Sequence, residues 1–161
     1  MDDLYFMQQA LALAQEAADD GEVPVGCVVV RQGQIVGRGR NRREGDKSAL
    51  AHAEIEAIAE SCRTLGGWRL WECTLYVTLE PCPMCTGAIV NARIPRVVYG
   101  ASDSKCGAVD SVCQMFQMDF NHHPQVTGGV MEEQCAALLR DFFQNLRVQL
   151  RSRPKWRPRQ P

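Results

Sequence analysis

The sequence predicts an α/β fold, a three-layer α/β/α sandwich in which a central mixed five-stranded sheet is covered by helices on both faces. Three observations predict it. Helical and extended patterns alternate along the 161 residues in the order α-β-β-α-β-α-β-α-β-α. The segment TLYVTL (74–79) lacks polar alternation, as a central strand buried on both faces should. With 45% hydrophobic and 23% charged residues, the chain is globular in composition and can bury a core of its own.

Each element has its own reason. Residues 3–18 place Leu4, Met7, Leu11, Ala14 and Ala18 on one helical stripe, which Asp19-Asp20-Gly21 ends. Two β-rich runs, VGCVVVR (25–31) and QIVGRG (34–39), flank Gln32-Gly33 and read as a hairpin. Residues 40–51 are polar and aperiodic, hence a loop. AHAEIEAIAESCR (51–63) is a helix with Ile55, Ile58 and Ala59 expected inward. After the strand at 74–79, CPMCTGAIVNA (82–92) suits a helix, with Pro83 in the first turn where its missing N–H costs nothing. RVVYGA (96–101) is a fourth strand. An ambiguous segment at 108–118 fills the next helical place, QVTGG (125–129) is a short strand, and residues 132–150 form a long amphipathic helix. No repeat or internal linker interrupts this order, so residues 1–150 form one domain.

Charge and cysteine usage narrow the function. Net charge is −1, but the last eleven residues, RSRPKWRPRQP, hold five basic residues and no acid. The remainder carries 13 basic against 19 acidic residues, which excludes a general polyanion binder. The tail, 151–161, is expected to be disordered, and its cations are able to add phosphate contacts. No apolar run approaches bilayer-spanning length, and the start MDDLYFMQQA is acidic. Neither a membrane span nor a secretory leader is expected, and the expected compartment is the cytoplasm. In a reducing compartment most of the eight cysteines serve as small buried hydrophobes, Cys27 and Cys135 especially.

Only Cys82 and Cys85 have a spacing with chemical meaning. They begin a helix that follows a buried strand, where free N–H groups and the helix dipole favour thiolates. Two thiolates on one turn can grip one metal ion. A catalytic zinc takes three protein ligands and leaves a position for water, and the chain offers only three histidines, His52, His122 and His123. His52 opens a helix and is followed by Ala53 and Glu54. In the combination H-A-E…P-C-P-M-C, both clusters sit at helix starts and can face one point. Glu54 projects away from His52, so it can reach a water without ligating the metal. A redox pair would need neither His52 nor Glu54, and a structural zinc would recruit a fourth cysteine or histidine. The pattern therefore predicts zinc held by His52, Cys82 and Cys85, with Glu54 moving protons.

The signature H-x-E…P-C-x-x-C is that of zinc nucleobase deaminases. EVPVG (22–26), Asn41, AHAEIEAI (51–58), LYVTLEPCPMC (75–85), YGASDSKCGA (99–108) and QCAALLRDFF (134–143) resemble one branch of the cytidine/deoxycytidylate deaminase superfamily, the bacterial tRNA-specific adenosine deaminases, from about residue 4 to 147. The resemblance implies a cytidine deaminase-like fold and hydrolytic conversion of adenosine to inosine at the anticodon wobble position. It also implies one zinc ion per subunit and a homodimer acting on the tRNA anticodon stem-loop. It implies that Asn41 and the Ala53 N–H contact the substrate. Asp103 and Lys105 would meet ribose and phosphate, and Phe143 would stack on bases. Cys106 stands where the resemblance leads one to expect threonine, and His122 and His123 read as solvated loop residues. Two other readings remain open at this point: a deaminase of free guanine, cytosine or a nucleotide, and a zinc-stabilised binding module without catalysis.

Overall fold

The computed structural model describes residues 2–152, so the expected disorder of the tail concerns residues that lie, from 153 on, outside those described. Five strands form one sheet in the order β2-β1-β3-β4-β5: β1 (Gly26–Arg31), β2 (Gln34–Arg40), β3 (Cys73–Leu79), β4 (Arg96–Ala101) and β5 (Gln125–Thr127). β1 is antiparallel to both neighbours, while β3, β4 and β5 are parallel, so the sheet is mixed as expected. Gln32 and Gly33 both have positive φ (51° and 74°), the two-residue hairpin turn whose twist matches that of the strands.

Side-chain alternation assigns each face of the sheet its helices. Cys27, Val29, Leu75, Val77, Val97 and Tyr99 point to one core, shared with α3 (Ala53–Leu65) and α4 (Pro83–Asn91). Val28, Val30, Tyr76 and Val98 point to the other, shared with α1 (Asp3–Asp19) and α5 (Glu132–Leu150). β3 is thus buried on both sides, which accounts for its missing alternation. Cys27 and Cys135 are buried free thiols within these cores.

The inward stripes differ in detail from the periodicity. On α1 the buried residues are Phe6, Met7, Ala10, Ala14 and Ala17, while Leu4 is exposed. The cause is an anchor at the helix start. The Asp3 carboxylate accepts from Arg96 Nη1 (2.9 Å), Arg96 Nη2 (2.8 Å) and the Tyr76 hydroxyl (2.8 Å), which sets the rotation of α1 on β3 and β4. On α3 the buried residues are Ala53, Glu54, Ala57, Ile58 and Ser61; Ile55 is half-buried and Ala59 exposed. There the small face wins because Gly37 and Gly39 of β2 let the helix backbone close in, and a Cβ on Gly39 would fall on the Ala53 carbonyl. The 40–51 loop contains a single helical turn, α2 (Arg43–Asp46). The expected helix between β4 and β5 is a chain of turns with one 3₁₀ turn, Met115–Gln117. β5 stops at Thr127, two residues before the expected end.

The Asp3 anchor predicts a pH dependence. Its hydrogen bonds from Arg96, outweighing partial burial, hold the Asp3 carboxyl below its ordinary value. The folded state therefore prefers the ionised form. The stabilisation is present above the unfolded value, about 4, and fades as pH falls through the lower folded one. We expect Asp3→Asn to lower stability by about 1 kcal/mol at neutral pH, the pair being partly exposed. Unfolding curves of both proteins should converge towards the acid end. A gap that widens on acidification would contradict the anchor.

Candidate metal centre and pocket

The topology brings four chain segments to one edge of the sheet. Because β1 runs antiparallel to β2 and β3 while β4 parallels β3, the start of β1 lies beside the ends of β2, β3 and β4. In an open α/β sheet, the crevice outside the strands' carboxyl ends is where ligands bind. α3 and α4 both begin there, with His52 and Cys82 as their N-caps in extended conformation. Neither side chain caps its own helix, so both are free to point into the crevice. Pro83 opens α4 as expected, and Cys85 lies one turn in, fully buried.

These elements bring the three expected ligands together. The donor atoms of His52, Cys82 and Cys85 all lie within 4.8 Å of one another, and among the described residues this is the group of histidine, cysteine and acidic side chains that could hold a metal ion. His52 Nδ1 is 3.6 Å from Cys82 Sγ and 3.5 Å from Cys85 Sγ. A tetrahedral zinc, with bonds of about 2.0 Å to nitrogen and 2.3 Å to sulfur, sets nitrogen and sulfur about 3.5 Å apart. The donors are already at that spacing, and two sulfurs with one imidazole suit zinc in chemistry as well. The residues fit the group.

Electrostatics divide the donor set: Cys82 is poised as a thiolate, whereas Cys85 has to release its proton to a bound cation, unlike the helix-start expectation for both thiols. The Cys85 thiol and the His52 imidazole hold Cys82, against the opposing effect of burial, down to about 4. The same contact with Cys82, together with burial, keeps the proton on Cys85. His52 is raised by its bond to Cys82. Glu54 is only 4% exposed, and burial pushes its carboxyl up to about 7. Beneath it Cys27 is sealed from solvent, and burial together with the Glu54 charge keeps that thiol protonated and inert.

The site opens into a pocket of ≈ 890 Å³ that reaches from His52, Glu54 and Cys82 to the flank of α5. Every remaining candidate lines it: Asn41, Ala53, Asp103, Lys105 and Phe143. Asn41 is 7% exposed; its Nδ2 donates to the Val23 carbonyl (3.2 Å) and its Oδ1 accepts from the Arg43 N–H (3.2 Å). One amide hydrogen is thus used to fix the side chain, and the second is left for a ligand. Ala53 is the first residue of α3, so its N–H has no intrahelical acceptor. Asp103 Oδ1 accepts from the N–H groups of Lys105 (3.0 Å) and Cys106 (3.2 Å), turning the loop so that Lys105 is exposed. Phe143 stands at the lip, edge-to-face with Phe142 and 40% exposed.

His122 and His123 stay apart from the site. Both lie in a loop as expected: His122 Nε2 meets the Ile94 carbonyl and His123 Nδ1 the Phe116 carbonyl, both at 2.7 Å, while His123 remains exposed to solvent. Sequence reasoning missed Arg43, Arg140 and Arg147, which join Lys105 around the pocket. It also missed two buried carboxylates. Glu22 accepts the N–H groups of Glu44 and Gly45, each at 2.9 Å, on the Asn41 side. Glu80 does the same for the loop on the opposite side. The one available signal was an acid set among apolar residues, in LEP and in GEVPV.

Comparison with known proteins follows the same lines. The MafB19-like deaminase family model matches residues 1–147. The tRNA-specific adenosine deaminase of Bacillus subtilis (strain 168) is 48% identical over 147 residues, 91% of this chain and 91% of its own. A solved structure from biochemical and structural studies of A-to-I editing by tRNA:A34 deaminases at the wobble position of transfer RNA superposes with a TM-score of 0.81. It is 45% identical and covers 84% of this chain and 99% of its own. A guanine deaminase structure from Bacillus subtilis superposes with a TM-score of 0.62 at 30% identity, over 98% and 99% of the two chains.

Proposed function

The chain belongs to the MafB19-like deaminase family, together with the tRNA-specific adenosine deaminases, and on that premise we propose that it hydrolyses adenosine to inosine at the wobble position of a tRNA anticodon. The observation that carries the reading is the convergence of His52, Cys82 and Cys85 at zinc spacing beside the buried Glu54, at the floor of an open pocket.

In this reading His52 Nδ1 and the Cys82 and Cys85 sulfurs hold one zinc ion per subunit. Zinc bound there supplies Lewis acidity that makes a water nucleophilic near neutral pH. The chain's own residues do the rest. Glu54 accepts one proton from the water as its oxygen bonds to the adenine carbon bearing the amino group, and gives it to the ring nitrogen. It then takes the second proton from that oxygen and passes it to the amino group, which leaves as ammonia as the C–N bond breaks and the C=O bond forms. The Ala53 N–H, at the positive end of α3, steadies charge that develops on oxygen. Asn41 presents its second amide hydrogen to the purine. Phe143 offers a face to a neighbouring base. Asp103 turns its loop towards the ribose, and Lys105 reaches phosphate.

Three cations around the pocket, Arg43, Lys105 and Arg147, favour a polyanionic substrate over a free base; Arg140 also lines it but is paired with Glu133 (2.7 Å), and Asp103 and Asp141 lie among them. A homodimer and a cytoplasmic location belong to the same proposal; among the described residues no helix is long and apolar enough to cross a membrane. The test is incubation with an anticodon stem-loop carrying wobble adenosine, beside free guanine and cytidine. Inosine in the stem-loop is the expected product. Turnover of the free bases alone would transfer the assignment to the free-base deaminases, which the 30% identity to a guanine deaminase keeps as the second reading.

A further inference from the structure

Glu80 is 2% exposed, at the end of β3, and takes no part in the chemistry assigned to Glu54. Its carboxylate gathers five donors. Oε1 accepts from the Asp103 N–H (3.1 Å) and from the Ser111 hydroxyl. Oε2 accepts from the N–H groups of Val109 (3.2 Å), Asp110 (2.9 Å) and Ser111 (3.0 Å). All of them belong to the stretch 103–111, which contains no helix or strand. Gly107 passes so close that a Cβ there would fall on the carboxylate. The Ala108 N–H also donates to the Pro81 carbonyl (2.9 Å). One buried anion thus replaces the regular hydrogen bonding this loop lacks, and does so with charge-assisted bonds.

The loop matters because its first half is a wall of the pocket, with Asp103 and Lys105 on it. We propose that Glu80 is a positioning residue for substrate recognition: by holding the backbone of 103–111 it sets where Asp103 and Lys105 meet the nucleotide's sugar and phosphate, and it governs affinity rather than the chemical step. Glu22 holds the Asn41 wall in the same manner with two N–H groups, so the opposite walls are held independently. The affinity readout rests on the tRNA reading above.

The experiment compares zinc-loaded parent, Glu80→Gln and Glu22→Gln. The glutamine keeps the shape of Glu80 but turns an NH2 group towards donors, whichever way it lies. Backbone hydrogen exchange of Glu80→Gln should rise across 102–111 while 43–46 and the central strands stay as in the parent. KM for the stem-loop should rise about tenfold with kcat within about threefold. Glu22→Gln should show the reverse exchange pattern. Exchange rising equally over the whole chain, or a fall in kcat at unchanged KM, would overturn the proposal. Where the parent itself ignores the stem-loop, the tRNA reading fails on that arm alone; unchanged exchange at 102–111 in Glu80→Gln then overturns the positioning role and raised local exchange supports it. Should Glu80→Gln not fold, Ser111→Ala removes one donor from an exposed residue and is expected to raise exchange at 102–111 and KM about threefold; no change in either would overturn the proposal.

Discussion

Replacing Glu54 by alanine is expected to cost nearly all turnover while zinc and fold are retained. The carboxyl lies beside the ligands without belonging to them, so its loss removes a proton carrier and leaves the metal donors in place. General acid–base groups contribute on the order of 10²–10⁴-fold to rate, and Glu54 is assigned both the acceptance and the return of protons, which places the loss at the upper end. Stability should not fall with activity. Burial has pushed this carboxyl up to about 7, so the folded state gains little from its charge. Three measurements on one sample decide the matter: kcat on the stem-loop, zinc by elemental analysis and the thermal midpoint. Retained turnover would remove Glu54 from the mechanism.

Cys82→Ser is expected to have the opposite profile, losing zinc first and activity as a consequence. A serine hydroxyl does not ionise near neutral pH, whereas the Cys82 thiol is held down to about 4 by Cys85 and His52 and is ready to ligate. Dialysis against a chelator concentration that leaves the parent loaded should strip most of the metal from the variant. Its thermal midpoint should then cease to respond to added zinc, because an ion that bridges the starts of α3 and α4 stabilises the native state only through binding. Full zinc occupancy in Cys82→Ser would refute the ligand assignment. Read together, the two variants separate catalytic from structural zinc, since a structural ion would make Cys82 matter for stability and Glu54 matter for nothing.

Much of the fold was legible in local pattern. The strand at 74–79 and the final helix at 132–150 match β3 and α5 nearly residue for residue, because each has strong periodicity or continuous burial over a sufficient length. Faces were less legible than elements. Periodicity turns Ala59 inward on α3, yet it is exposed, since glycines on β2, more than a dozen residues away, select the small face of Ala53 and Ala57. The segment 108–118 was the least legible. It holds apolar residues at helical spacing, yet the Val112 and Met115 N–H groups donate to the Gly107 (2.8 Å) and Ala108 (3.0 Å) carbonyls rather than to those four residues back, and turns result.

The sequence by itself singled out the candidate metal donors. Histidine and cysteine are common zinc donors, and both a one-turn spacing at a helix start and the H-A-E…P-C-P-M-C combination are written in the letters, so His52, Cys82 and Cys85 could be picked out before the chain folded. Only the tertiary structure decided how the walls of the pocket are held. Glu22 and Glu80 act on backbone N–H groups 22 to 31 residues away along the chain. Nearly every residue carries such a group, so a bond to it leaves no trace in the order of the amino acids and forms only once the chain has folded back on itself.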